Sequence, residues 1–404
     1  MTQDHPGVFG GVDTHKHTHV AAVLDGAGRV LGSAAFDADT AGYTALLGWL
    51  GGHGSVERVG VEGTGSYGAG LARHLAAAGV DVVDVNRPNR QMRRRRGKTD
   101  TVDAEAAARA ALNGCAAVVP KSADGCVEAI RTLRVARRSA VKARTVAANQ
   151  IDAVVVTAPE PVKDRLRALN TARTVEACAR MRPDTDGDLV RAAAKRALRS
   201  LARRHQALTA EIKHLDAELR RLCERANPAL LGACGVGAET AAALLVAAGD
   251  NPERLRSEAS FAALCGTSPI EASSGRTVRH RLNRGGNRQA NNALWRIAMV
   301  RLRVDERSIA YAARLTAEGK TRREILRCLK RHIAREVYKL IIDPPDVAHG
   351  ADLRRHRTQR GLTIHQTARA LGAAPNRISE LERGIIHNRD LAERYQRHLA
   401  QTGS

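Results

Sequence analysis

The stretch GKTDTVDAEAAARAAL at 97–112 sets Asp100 and Asp103 three residues apart, directly behind the basic run Arg93, Arg94, Arg95 and Arg96. On a helix that begins near Thr99, positions i and i+3 share one face, and Thr99 or Thr101 can cap the first turn. Two further acids stand where strands should end: Asp13 closes VFGGVDTH and Glu62 closes VERVGVEG, each followed by small or polar residues. Four oxygen donors suit one or two Mg²⁺ ions, and two ions about 3.5–4 Å apart can stabilise the attacking and leaving oxygens of a phosphodiester. Taken singly, each acid has a plainer explanation, because carboxylates at a helix start answer the macrodipole and an aspartate often serves a turn. Their meaning therefore depends on whether the fold brings them together.

The elements that must position them follow from the apolar pattern. VFGGVDTH, THVAAVLD and GRVLGSAAF alternate as strands, the last two joined by a tight turn at Gly26–Gly28, which gives an antiparallel meander. TAGYTALLGWL then reads as a helix, VERVGVEG as a strand, YGAGLARHLAAAG as a helix and VDVVDVN as a strand, ahead of the helix from Thr99. The order β-β-β-α-β-α-β describes a mixed sheet flanked by helices. In this ribonuclease-H-like topology, acids at the ends of the first and fourth strands and on a late helix meet at one site.

Charge points to the partner. Lys+Arg number 65 against 42 Asp+Glu, a formal net charge of +23, so a polyanion, nucleic acid foremost, is the expected ligand. Aromatics are 2% of the chain, which leaves few rings for stacking on bases and throws the work onto phosphate contacts and helix insertion. No run approaches the roughly 20 apolar residues of a spanning helix, and MTQDHPGVFGG lacks an apolar signal region, so the chain reads as cytoplasmic with no membrane partner. The seven cysteines are scattered without a C-x-x-C pair, consistent with reduced, mostly buried thiols.

From about 122 to 226 the pattern is helical, broken at TAPEP and near MRPDTDGD. Leu201, Leu208, Ile212, Leu215, Leu219 and Leu222 form an a/d seam that must meet a partner helix, within the chain or in a second copy; oligomerisation is the favoured expectation. PALLGACGVGAETAAALLVAAGD reads as two helices around Gly-Val-Gly, a helix-hairpin-helix that could offer backbone N–H groups to phosphate, or a plain helical hairpin. A stiff break at Pro344 and Pro345 precedes a last helical module. In that module LRRHRTQRGLTIHQTARALGAAPNRISELERG resembles a Cro/repressor-type helix-turn-helix, with IHQTARAL first, Gly372 at the turn and PNRISELE as recognition helix. Asn376, Arg377 and Ser379 would face the major groove.

GVDTHK, VEGTGSYG and GKTDTVDA resemble the three N-terminal motifs of Piv/MooV-type transposases and DNA invertases, insertion-sequence family one-ten, whose first domain is similar to the resolvase RuvC. The resemblance assigns a D-E-D-D tetrad to Asp13, Glu62, Asp100 and Asp103 and implies Mg²⁺ as cofactor. FAALCGTSPIEASSGRTVRHRLNRGGNRQANNALWRIA at 261–298 resembles the same family's C-terminal transposase domain, in which a serine attacks DNA and is transiently linked to it. Ser274, just before Gly275, is the best match, with Ser273 as the alternative register. A serine hydroxyl needs assistance to act as a nucleophile, and Arg276, Arg279, His280, Arg281 and Arg284 supply positive potential nearby. Ser-Ser-Gly is equally a common turn.

The implied fold class is α/β plus α: a RuvC-like domain over 7–120, a helical coiled-coil oligomerisation segment over 121–227, a mostly helical transposase domain over 228–345 and a helix-turn-helix over 350–404. The implied activity is site-specific cleavage and rejoining of donor and target DNA. A structured guide (bridge) RNA and dimers assembling into a tetramer are further implications of the family. Arg93 to Arg96 would deliver DNA to the metal-loaded acids or hold the RNA. Two other readings remain open: a metal-dependent nuclease or resolvase that uses the acids alone, and a non-catalytic DNA-binding repressor or RNA-binding protein.

Overall fold

Period-two alternation gives three strands, β1 Gly7–Thr14, β2 Thr18–Asp25 and β3 Val30–Asp37, paired antiparallel as a meander. In this computed structural model the residues described are 6–85, 99–114, 117–182, 188–277, 280–345, 350–383, 386 and 388–401. Arg93 to Arg96 and Arg279 lie outside them. Asp39 accepts from the Gly42 N–H (2.8 Å) to cap helix α1, Thr40–Gly51. Strand β4, Ser55–Glu62, then runs parallel to β1, helix α2 covers Ala69–Ala77, and β5, Val82–Val85, runs parallel to β4. Helix α3, Asp100–Asn113, starts at the Thr99 cap and stops at Gly114, whose φ of 62° is the left-handed ending glycine favours. A two-residue strand β6, Ala117–Val118, not read from the sequence, pairs antiparallel with β5. The sheet order is β3-β2-β1-β4-β5-β6.

Its two faces differ in kind. Val8, Val12, Val59 and Val61 pack with Leu46 and Leu50 of α1 and Leu71 and Leu75 of α2. On the other face α3 lies directly on two glycines. A Cβ on Gly11 would stand 2.0 Å from the Ala108 nitrogen and 2.3 Å from the Ala104 oxygen, and one on Gly60 would stand 2.5 Å from the Ala107 oxygen. The α3 residues turned to the sheet, Ala104, Ala107, Ala108 and Ala111, are all small and buried. Arg109 then ties α3 to the β2–β3 turn through the Gly28 carbonyl (2.9 Å).

The described residues of 1–125, together with 249–254, form one compact unit; those of 126–248 and 255–404 form a second. Asn251 fixes the inserted segment in the first unit, accepting from the Ser122 N–H (3.1 Å) and donating to the Pro120 carbonyl (2.9 Å).

In the second unit a long helix α4, Cys126–Thr157, is followed by α5, Glu160–Leu166, α6, Thr171–Ala179, and a second long helix α7, Leu189–Ala226. Val127 and Ile130 of α4 share a core with Leu219 and Cys223 of α7, whereas Ile151 packs with Leu198 and Ala202. The two helices are therefore antiparallel partners along most of their length. The leucine seam finds its partner inside the chain, so the seam by itself gives no support to oligomerisation. Helices α8, Pro228–Gly232, α9, Ala238–Ala248, and α10, Glu258–Leu264, precede a small hairpin of β7, Ile270–Glu271, and β8, His280–Arg281. Helices α11, Arg288–Val304, α12, Glu306–Ala317, and α13, Arg322–Ile342, complete that core.

The last module has its own core, built by α14, Gly350–Gln359, α15, Ile364–Ala370, α16, Pro375–Glu382, and α17, Arg389–Gln401. Gly372 (φ 58°) makes the turn between α15 and α16. No helix among the described residues is long and apolar enough to cross a membrane.

Replacing Gly11 with Ala forces a methyl into the α3 backbone, and we expect a loss of about 3 kcal/mol in chemical denaturation. Gly48→Ala, in α1 with open space around the new Cβ, should instead leave stability unchanged or raise it by up to about 1 kcal/mol.

Candidate metal centre

The sheet register decides where the acids fall. Val12 and Val61 are neighbours in the parallel β1–β4 pair and both face α1 and α2, so alternation turns Asp13 and Glu62 to the α3 side. Glu62 is also the partner of Val85, which packs on Ala107 and Ala111 of α3. The Thr14 hydroxyl donates to the Glu62 carbonyl (2.8 Å) and stitches the two strand ends together. Asp100 and Asp103 occupy the first turn of α3, after Thr99 accepts from the Val102 N–H (3.3 Å).

Asp13 is buried, and a carboxylate in that position is costly unless a cation answers it. Burial foremost, and then the neighbouring Asp103 and Asp100 carboxylates, hold the Asp13 carboxyl above the usual carboxylate range, against the opposing pull of His15. His15 sits in the β1–β2 turn with Nε2 3.3 Å from Asp13 Oδ2 and 3.4 Å from Asp100 Oδ1. One donor atom each from Asp13, His15 and Asp100 lie within 4.8 Å of one another, and among the described residues this is the group placed to hold a metal ion. Its two carboxylate oxygens and one imidazole nitrogen fit a divalent cation. Glu62 and Asp103 stand outside this tightest group. His15 was not singled out by the sequence reading, although Asp-x-His at a strand end was visible in GVDTHK.

The serine lies in the second unit. Ser274 and Thr277 exchange both backbone hydrogen bonds (3.1 Å each), with Gly275 at φ 56° between them. Ser274 is thus at the tip of an exposed hairpin whose stem is the β7–β8 pair. Arg276, Arg281 and Arg284 are exposed on the same hairpin and the loop after it. At its base, Gly286 (φ 82°) passes so close to Gly266 and Leu264 that a Cβ would stand 2.6 Å from the Leu264 oxygen. The Asn287 N–H donates to that same oxygen (2.6 Å), and the Asn287 side chain caps α11. Among the described residues no buried cysteine competes as nucleophile: burial pushes Cys178 up to about 11 and Cys223 and Cys265 up to about 12, so each stays a thiol near neutral pH.

Two other sequence-marked features differ in outcome. At the start of α9, Glu239 pairs with Arg134 (2.9 Å) and Arg137 (3.5 Å), while the Gly237 N–H is taken by the Thr240 hydroxyl (2.9 Å). The acid in the first turn of that helix is thus committed to arginines of α4. In α16, Asn376 and Arg377 are exposed in the first turn and Ser379 is half-buried.

Residues 10–158 match the DEDD model of IS110 elements, described as transposase, and residues 227–313 match the model of the transposase IS116/IS110/IS902 family. The chain belongs to the IS110 transposase family. The two family matches together span more than half of it and contain Asp13, Glu62, Asp100, Asp103 and Ser274. A 147-residue stretch is 33% identical to the "insertion element IS110 uncharacterized 43.6 kDa protein" of Streptomyces coelicolor, covering 36% of each chain. The helices α14 to α17 lie beyond both family matches.

Metal-free Asp13→Asn is expected to be more stable than the parent at neutral pH. Because the folded-state carboxyl is raised, its contribution to stability is full below the ordinary carboxylate range and lost as pH rises through the raised value. The neutral amide escapes that loss, so Tm should rise by about 2–4 °C at pH 7 and by little at pH 3. Thermal melts with chelator at both pH values check it, and an unchanged Tm at pH 7 counts against a burdened Asp13.

Proposed function

We propose that the protein is a site-specific DNA recombinase of the insertion-sequence type, cutting and rejoining DNA through a serine ester. The reading is carried by the convergence of acids from β1 and α3 in a chain of the IS110 transposase family. Asp13, Glu62, Asp100 and Asp103 would hold Mg²⁺ or a similar divalent ion. When bound, such an ion polarises a phosphodiester and offsets charge on the departing oxygen.

The chain's own groups do the rest. The Ser274 oxygen forms a bond to phosphorus and one bridging P–O bond breaks, so a sugar hydroxyl leaves with the serine proton. Attack by a sugar hydroxyl of another strand reverses the step, restores a diester and frees Ser274. The number of phosphate ester bonds is the same throughout, so the exchange needs no nucleotide triphosphate. Arg276, Arg281 and Arg284 neutralise the non-bridging oxygens, with Arg279 beside them in sequence. An excess of 23 positive charges draws donor and target DNA to the protein and accommodates a structured guide RNA, the family's implied partner. Arg93 to Arg96, just ahead of Asp100, would take part in that binding. Dimers, and a tetramer on DNA, complete the assembly that the family implies. Exposed Asn376 and Arg377 at the start of α16, with Ser379 behind them, would dock the last module in a major groove as a helix-turn-helix.

Incubation with Mg²⁺, DNA carrying the element's ends and the RNA that copurifies should yield a denaturant-resistant protein–DNA adduct. Ser274→Ala should abolish it and slow strand joining at least about a thousandfold, while Ser273→Ala keeps it. Cutting without an adduct in either protein would mean a nuclease, and binding without any cutting would mean a repressor.

Asn376→Ala and Arg377→Ala should each cost about 1–3 kcal/mol of discrimination between specific and random duplexes in competition assays, with non-specific affinity little changed. An equal loss on both duplexes would assign them to phosphate contact only.

A further inference from the structure

We propose that His15 is itself a ligand of the metal centre, and that its nitrogen makes the centre select manganese-type ions over magnesium. This rests on the reading that the acids hold a divalent ion, and adds a residue and a preference to it.

The geometry carries the inference. Nε2 of His15 faces two carboxylates that come from elements nearly ninety positions apart in sequence, the end of β1 and the start of α3. Ligands about 2.1 Å from one ion and at right angles stand about 3.0 Å apart. The 3.3 and 3.4 Å separations around Nε2 are close to that spacing, so an ion can enter with small side-chain adjustments. The main chain that carries the ring is fixed: the His15 backbone N–H donates to the Thr18 carbonyl (3.1 Å), and the next residue pair, Thr14 with His19, is already in the β1–β2 ladder. About half of the His15 side chain is open to solvent, which leaves room for water or a phosphate oxygen on the remaining coordination positions. Asp13, in contrast, is nine-tenths buried and cannot exchange the imidazole for bulk water.

The preference follows from ligand chemistry. Magnesium takes oxygen ligands almost exclusively, whereas imidazole nitrogen suits transition-metal ions, and manganese, the most oxygen-preferring of them, still accepts it better than magnesium does. An all-carboxylate centre would suit magnesium; one nitrogen moves the balance toward manganese. Without an ion, the same imidazole bridges Asp13 and Asp100 and keeps the start of α3 beside the end of β1.

The test uses the full chain and Mn²⁺ alone. Pulsed electron paramagnetic resonance should detect a nitrogen-14 coupling on bound Mn²⁺ in the parent protein. His15→Gln, confirmed as folded by circular dichroism, should lose that coupling, bind Mn²⁺ roughly 10–100-fold more weakly and bind Mg²⁺ with a smaller loss. Bound Mn²⁺ with no nitrogen coupling in the parent, or an unchanged Mn²⁺/Mg²⁺ affinity ratio in His15→Gln, overturns the role of His15 and leaves the acid centre standing. Failure of the parent to bind Mn²⁺, or equal binding by Asp13→Asn, overturns the metal centre and His15 together.

Discussion

Direct contact between the backbone of α3 and two side-chain-free positions, Gly11 on β1 and Gly60 on β4, is what the rest of the first unit depends on. A helix normally stands off a sheet by the depth of its side chains. Here alanines on one surface meet glycines on the other, and the helix axis comes in until backbone touches backbone. That approach aligns the first turn of α3 with the end of β1. A helix held one side chain further out would leave Asp100 and Asp103 unable to share charge with Asp13.

The closeness has an electrostatic consequence. Asp13 and Asp103 are both buried here with Asp100 beside them, and the two α3 carboxylates oppose the ionisation of Asp13. Local repulsion of this kind, inside a chain with a large positive excess, marks a candidate place for a cation in the proposed reading. His15 reaches two of these carboxylates, Asp13 and Asp100, from the β1–β2 turn. The serine hairpin meets the opposite requirement, an exposed hydroxyl among arginines, and it is built from a different kind of rigidity: a tight turn at its tip and glycine crossings at its base.

Much of the first unit was legible because period-two and helical patterns, a tight turn and two caps all agreed. Glu62 does end its strand, Asp13 stands one residue before the end of its own, and Asp100 and Asp103 do open a helix. The α15–Gly372–α16 arrangement followed equally from its turn glycine and from Pro375 at the helix start. What escaped was tertiary. A leucine seam states that a helix needs a partner and not whose, and α4 proved to be it. The pairing of Glu239 with arginines of α4 has no local signal, nor has the return of residues 249–254 to the first unit through Asn251. His15 was in plain view beside His17, but a histidine in a turn becomes informative only when a distant helix brings Asp100 to it.

The most direct test of the shared metal centre is an anomalous difference map from crystals of the protein soaked in Mn²⁺. A peak in coordinating contact with the carboxylates of Asp13 and Asp100 is required. A manganese peak elsewhere, with Asp13 still paired only to His15, would contradict it.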